Sequence, residues 1–223
     1  MMNPDTELRI RDLYQSDKVK GTLINRSKIF MEISRSIWEL NTNFMISNRI
    51  KNSDRMINKI KIKEPSLKKK FKDIINSAGS SDTTLEDILI GKEPIIEDMV
   101  GFRFVYTKPK DLEDAINEIE DTLTVKGCNI VSNDPVSKNS GYESQHLVLT
   151  LPEDDKAFIE LQMTTLMRLA WSDLEHDVVY KSLKSLSPDQ FKSFLEDNFR
   201  LLGKTTVLLE DLINLVEKHS SRK

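Results

Sequence analysis

A change of period inside one short stretch constrains this chain more than any other feature. From Phe158 to Tyr180 it reads FIELQMTTLMRLAWSDLEHDVVY. Phe158, Glu160 and Gln162 alternate with Ile159, Leu161 and Met163, and period two over that length predicts a half-buried strand. Leu166, Leu169, Ala170 and Leu174 then recur at helical spacing, with Thr164 or Thr165 in place as the N-cap. A strand with a carboxylate and an amide on its open face therefore runs straight into a helix. On that helix Ser172, His176 and Tyr180 are four apart and share one stripe. A carboxylate on a sheet face beside a polar helix stripe suits a metal-dependent site.

The remaining chain supplies partners for that strand. Residues 5–46 read as helix, with Phe30, Ile33, Ile37, Leu40 and Phe44 on one buried face and Trp38 off it. A helix from about Ser53 carries Met56, Ile57 and Ile60 on its packed face. Lys51, Arg55 and Lys59, each four apart, form a basic stripe. Such a stripe is either a solvated face or the seat of an anion such as a polyphosphate, which relieves a repulsion of a few tenths of a kcal/mol per pair. Asn76–Asp82 is a loop by composition, and a short helix covers Thr84–Leu89.

Phe102, Phe104 and Tyr106 alternate with Arg103 and Val105 in a central strand, with Asp98 at its entrance. Strict alternation sets Asp98 and Arg103 on opposite faces, unless Gly101 is a bulge that re-aims them. A helix from Pro109 to Leu123 buries Leu112, Ala115, Ile116, Ile119 and Leu123, and a short strand follows at Asn129–Ser132. After the polar loop Asn133–Gly141, a third strand puts Tyr142, Ser144 and His146 on one face and Leu147, Leu149 and Leu151 on the other. A tyrosine after a flexible glycine is a base-stacking platform; a lone histidine there is more often structural. A charged turn, Pro152–Lys156, makes this strand and the Glu160 strand an antiparallel hairpin whose polar faces merge. Two helices close the chain, one with Phe191, Phe194 and Leu195, the other with Val207, Leu208, Leu212, Leu215 and Val216, as packing elements or an oligomer interface.

Composition excludes several classes. Of 223 residues 31% are charged and 38% apolar, the balance of a globular chain. The net charge of −3 argues against general nucleic-acid or DNA binding. One cysteine, Cys128, rules out an internal disulfide, and with three histidines makes zinc a poor fit. No apolar run reaches membrane length, and the N-terminus is too charged for a signal peptide, so a cytoplasmic location is expected. The expected fold is α+β, a central mixed sheet flanked by helices. Asp98 and Glu160 on separate strands suit Mg²⁺, which takes few protein ligands and leaves room for phosphate oxygens. The basic side chains suit the remaining phosphate charge. The chemistry indicated is phosphoryl or pyrophosphoryl transfer from a nucleotide, without a Walker or kinase glycine loop.

Four blocks, RIKN…K (Arg49 to Lys59), EDMVGFRFVY, KNSGYESQH (Lys138 to His146) and ELQMTT…W…LEHDVVYK (Glu160 to Lys181), resemble in order and spacing the RelA/SpoT synthetase domain, above all the small alarmone synthetases. The resemblance implies a nucleotidyltransferase-like synthetase domain over 47–183, between an N-terminal helical extension (1–46) and C-terminal helices (184–223). It implies transfer of the β,γ-pyrophosphate of ATP to the ribose 3′-hydroxyl of GDP or GTP with Mg²⁺. Arg49 and Arg103 then sandwich the adenine, Lys51 and Lys59 hold the ATP phosphates, and Asp98 and Glu160 bind Mg²⁺. Glu160 also helps deprotonate the attacking hydroxyl. Tyr142 stacks on the acceptor base, His146, Gln162 and Ser144 shape its pocket, and Lys138 meets its phosphates. His176 and Tyr180 match family positions without a defined role.

Three residues depart from the family pattern. Glu143 stands where Arg or Gln is frequent, Thr164 replaces an arginine, and Arg55 replaces a serine. The first two remove positive charge from the expected acceptor side, so a tRNA 3′ end or an adenine nucleotide is an alternative acceptor, the former belonging to toxic members neutralised by an antitoxin. A homotetramer is the other partner state the resemblance implies. His176-Asp177 does not make a hydrolase of the HD type, because His146 and His219 are wrongly placed to share its metal.

Overall fold

The computed structural model describes Met2 and residues 4–40, 43–66, 73, 82–90, 96–137, 143–175 and 189–220. Five strands, β1 (Phe44–Ile50), β2 (Val100–Tyr106), β3 (Asn129–Ser137), β4 (Glu143–Leu151) and β5 (Asp154–Thr165), form one sheet in the order β1-β2-β5-β4-β3. β2 and β5 run parallel and every other pair is antiparallel, so the sheet is mixed. Seven α-helices are found among the described residues: α1 (Pro4–Gln15), α2 (Asp17–Leu40), α3 (Ser53–Lys63), α4 (Asp82–Leu89), α5 (Pro109–Val125), α6 (Leu166–Leu174) and α7 (Asp189–Ser220).

One sheet face is apolar because the strands alternate. Phe102, Phe104, Tyr106, Leu147, Leu149, Ile159, Leu161 and Met163 are all buried. Helices α2 and α5 pack on the sheet through Phe30, Ile37, Leu112, Ala115, Ile119 and Leu123. Phe30 meets Phe102 edge-on at 4.7 Å, and Phe44 lies 4.5 Å from Phe104. Each such side chain contributes about 1.5–3 kcal/mol by leaving water. Helix α1 is part of the same core: Ile10 and Tyr14 are buried with Met56, Ile57 and Ile60 of α3, the packed face predicted for that helix.

Several expectations are corrected. The N-terminal helix is two helices, because Ser16 interrupts the first and caps the second, its Oγ accepting from Val19 N at 3.4 Å. The helix ends at Leu40, which is 65% exposed, and Phe44 belongs to β1. β1 was hidden by its polar residues, Ser47, Asn48 and Arg49. β3 extends to Ser137 where a loop was expected. It is an edge strand, so Pro135 sacrifices no ladder bond on its free side. Gly101 is not a bulge, since β2 pairs without a register shift on both sides. Asp98 lies in the turn before β2 rather than on a strand. In α6, Thr165 is the N-cap, accepting from Arg168 N at 3.2 Å. The buried residue of that helix is Trp171, while Leu166 and Leu174 are exposed. The two C-terminal helices are one, α7, and its Leu208, Leu212, Leu215 and Val216 are exposed, so of the two roles expected for them packing within the chain is not theirs. The 76–81 loop lies outside the described residues.

Candidate active site

The register of the sheet builds the site. Arg49, Gly101, Glu160 and Val148 are successive cross-strand partners, and Ser47, Arg103, Gln162, His146 and Asp134 form the next row. Period two sends both rows to the face opposite the phenylalanines. There a small cleft of about 80 Å³ is lined by Ser47, Asn48, Arg49, Gly101, Phe102, Arg103, Glu160 and Gln162. Gly101 leaves the room for Arg49. A Cβ at this glycine meets Arg49 Nε at 3.4 Å and Cγ at 3.6 Å, ordinary contacts for a methyl, so anything larger on that side presses on the Arg49 side chain.

The polar groups of the cleft are chained. Arg103 donates from Nε (3.3 Å) and Nη2 (3.2 Å) to Gln162 Oε1. Gln162 Nε2 donates to Glu160 Oε2 at 2.9 Å. Arg49 Nη2 lies 3.9 Å and His146 Nδ1 3.6 Å from the Glu160 carboxylate. Burial raises the Glu160 pKa and the nearby charge of Asp98 does so too, yet His146 and Arg49 outweigh them and hold it below the ordinary carboxylate range.

Asp98 sits under two lysines. Its Oδ2 accepts from Lys51 Nζ and from Lys59 Nζ, the latter at 3.1 Å. Burial raises its pKa, but the two ammonium groups bring it below the usual value. Lys51 is lowered by burial, against the pull of Asp98. Helix α1 supports this pair, since Tyr14 OH donates to Lys51 O. Burial, and then the charge of Asp98, push the Tyr14 phenol up to about 12. The basic stripe is therefore split. Lys51 precedes α3 and is buried, Lys59 is half-buried, and Arg55 is exposed. Within the chain, Asp98 relieves part of the repulsion between the two lysines.

Two clusters thus form: Arg49, Arg103, His146, Glu160 and Gln162 at the cleft, and Lys51, Lys59 and Asp98 at the turn before β2. Ser144 is on the same face but buried, and its hydroxyl donates to Met163 O at 3.0 Å inside the sheet rather than opening to an acceptor. Lys138, Tyr142, His176 and Tyr180 lie outside the described residues. Sequence reasoning missed β1 as the support of Arg49, although Met45, Ser47 and Arg49 alternate with Phe44, Ile46 and Asn48. It also missed Tyr14, for which spacing gave no signal.

The donor set fits a hard divalent cation. Asp98 Oδ1 is buried and has no hydrogen-bond partner among the described residues, and Glu160 is a second carboxylate nearby. No group of three or more His, Cys, Asp or Glu suited to a metal occurs among those residues. Two carboxylates with phosphate oxygens are the arrangement Mg²⁺ takes, and not zinc. No helix among them is long and apolar enough to cross a membrane.

Residues 48–185 match the family described as "Region found in RelA / SpoT proteins". The chain belongs to this RelA/SpoT family, and with it to the GTP diphosphokinase-like pyrophosphotransferases. Among solved structures it is similar to small alarmone synthetase 1 from Bacillus subtilis, at 17% identity and a TM-score of 0.67 over 93% of this chain and 100% of that one. Small alarmone synthetase 2 from Bacillus subtilis gives 18% and 0.65, over 92% and 99%. A GTP pyrophosphokinase family protein from Streptococcus pneumoniae gives 17% and 0.65, over 92% and 94%. None of the curated proteins matches the chain in sequence. At these identities the structural likeness establishes the α+β fold.

Proposed function

We propose that the protein transfers the β,γ-pyrophosphate of ATP to the ribose 3′-hydroxyl of GDP or GTP, making (p)ppGpp and releasing AMP. The observation that supports this reading is a pair of charge clusters built on β1 and β2 and their flanks: Glu160 beside Arg49 and, through Gln162, Arg103, and Asp98 beside Lys51 and Lys59. Two carboxylates among four cations suit a polyphosphate with a divalent ion and little else. Support also comes from similar structures of small alarmone synthetase 1 from Bacillus subtilis bound to its product pppGpp and to AMPCPP.

In this reading the guanidinium groups of Arg49 and Arg103 stack on the adenine across the gap at Gly101. Lys51 and Lys59 exchange Asp98 for the ATP phosphates. Asp98 and Glu160 hold Mg²⁺, which supplies charge neutralisation on the transferred group. Tyr142 stacks on the acceptor base, Lys138 meets its phosphates, and His146 with Gln162 fixes the Glu160 carboxylate toward the 3′-hydroxyl. As the 3′-oxygen bonds to the β-phosphorus, its proton passes to Glu160 and the α–β bridging oxygen leaves with AMP. Positioning and electrostatics provide most of the acceleration. The site works in the cytoplasm; the expected domain limit at 46/47 cuts β1, so the synthetase domain starts with that strand at Phe44, and its far limit is the one at 183/184.

The test is incubation with γ-labelled ATP, Mg²⁺ and, in separate reactions, GDP, GTP, an adenine nucleotide or tRNA. AMP release and a labelled guanosine product with GDP or GTP are expected. Label appearing only in the adenine nucleotide or in tRNA overturns the acceptor assignment.

A further inference from the structure

A second polar cluster lies away from the cleft, where β4, α6 and α7 meet. The Glu210 carboxylate on α7 is 1% exposed. It accepts from Thr165 Oγ1, the cap of α6, and from Arg168 Nε. The other arm of the same guanidinium, Nη2, lies 3.4 Å from Glu143 Oε2. Glu143 is the first residue of β4 and follows Tyr142 directly in the chain. Thr164 Oγ1 adds a 3.4 Å bond to Glu143 O. Further along α7, Phe199 O accepts from Trp171 Nε1 at 3.1 Å. Phe199 and Glu210 thus fasten α7 to α6 at two separated points.

We infer that Arg168 is a positioning residue for the acceptor: anchored on Glu210, it holds Glu143 and so fixes the start of β4 beside Tyr142. A guanidinium can bridge two carboxylates at once because its nitrogens are set in a rigid fork, which an ammonium does not reproduce. The buried end is the fixed end. Glu210 has no water to turn to, and Thr165 holds its other oxygen. Glu143, more exposed, is the end that is held. Its charge is thereby neutralised in place, and it does not stand free to repel an anionic acceptor. The loss of an arginine at position 164 is a separate matter, since Thr164 is buried in the sheet.

This inference rests on the reading of Tyr142 as the acceptor-side residue, and its test separates the two. The variants are Glu143→Gln, which leaves the Arg168–Glu210 contact whole, and Arg168→Lys, which keeps the charge and loses the fork. Three quantities are measured on the full chain: the KM for GDP, the KM for ATP with kcat, and amide hydrogen exchange over the first residues of β4. Both variants are expected to raise the KM for GDP by about two- to fivefold, the size of a lost part-exposed ion pair. The KM for ATP should stay within about twofold, and exchange at the start of β4 should quicken. The sign for Glu143→Gln is decisive. A free repulsive carboxylate gives a lower KM for GDP when neutralised, and that result, or an unchanged one, overturns the inference. ATP and GDP constants rising in step also overturn it, since they mark a general loss of structure. If the wild type ignores guanine nucleotides, the acceptor reading fails by itself. The exchange measurement then decides the tether alone: unaltered exchange in both variants rejects it.

Discussion

Asp98→Asn is the perturbation that bears hardest on this site. Lys51 and Asp98 are both nearly buried, with side chains 7% and 12% exposed, and the substitution leaves the lysine facing a neutral amide. Breaking a buried ion pair from one side costs about 3–5 kcal/mol. Lys59, at 39% exposure, turns to water and adds under about 1 kcal/mol. The amide oxygen still accepts one bond from Lys51, so the lower end, about 3 kcal/mol, applies. For a chain of this length that is a fall in Tm of about 6–12 °C. Activity should fall by at least about 100-fold with the loss of one charge-stabilising group. The double variant Lys51→Met, Asp98→Leu removes both charges. It should recover most of the Tm, because uncharged packing replaces an ion pair at little cost, and should remain inactive. Differential scanning calorimetry and AMP release read the two effects separately. The reasoning is refuted if Asp98→Asn melts with the wild type, if it retains activity, or if the double variant is less stable than the single one.

Three further outcomes follow from the same geometry. Gly101→Val crowds Arg49 and should raise the KM for ATP by about tenfold while sparing the KM for GDP; an ATP constant equal to that of the wild type would show that Arg49 does not need that space. Glu160→Gln keeps the bond from Gln162 and should melt within a few degrees of the wild type, yet lose at least about 100-fold in kcat. The pH dependence of stability has a definite sign. The folded-state pKa of Asp98 is depressed, so its contribution is present above the ordinary aspartate value of about 3.9 and is lost as pH falls through the lower folded value. Below about pH 4 the wild-type Tm should therefore fall more steeply than that of Asp98→Asn, and parallel curves would contradict the pairing.

Alternation and helical spacing made much of this molecule legible in advance. β2, β5, the Thr165 cap, α3 and α5 lie where the pattern of apolar residues put them, since each has one face in the core. The strands that escaped notice, β1 and most of β3, are the two edges of the sheet. An edge strand buries little, so its composition stays polar and resembles a loop. The faces of the site residues on β2, β4 and β5 followed from parity. Their joining into rows did not, because the order β1-β2-β5-β4-β3 and its register are long-range facts that no local pattern carries. Ser144 illustrates the limit: parity gave its face correctly, and only the neighbouring strand reveals that its hydroxyl is spent on Met163 O. The pairing of both lysines with Asp98 was likewise invisible, because Lys51 lies off the helix whose spacing grouped it with Lys59.

The grip of Lys51 and Lys59 on Asp98 makes the groove selective before any substrate is recognised by shape. A small anion such as chloride offers these ammonium groups less than the carboxylate they already hold. A bare nucleotide frees the lysines but strands Asp98 as a buried, unmatched charge. Under the proposed function, only a ligand that arrives with its own cation satisfies both sides of the exchange at once, so metal and triphosphate would enter as a single unit.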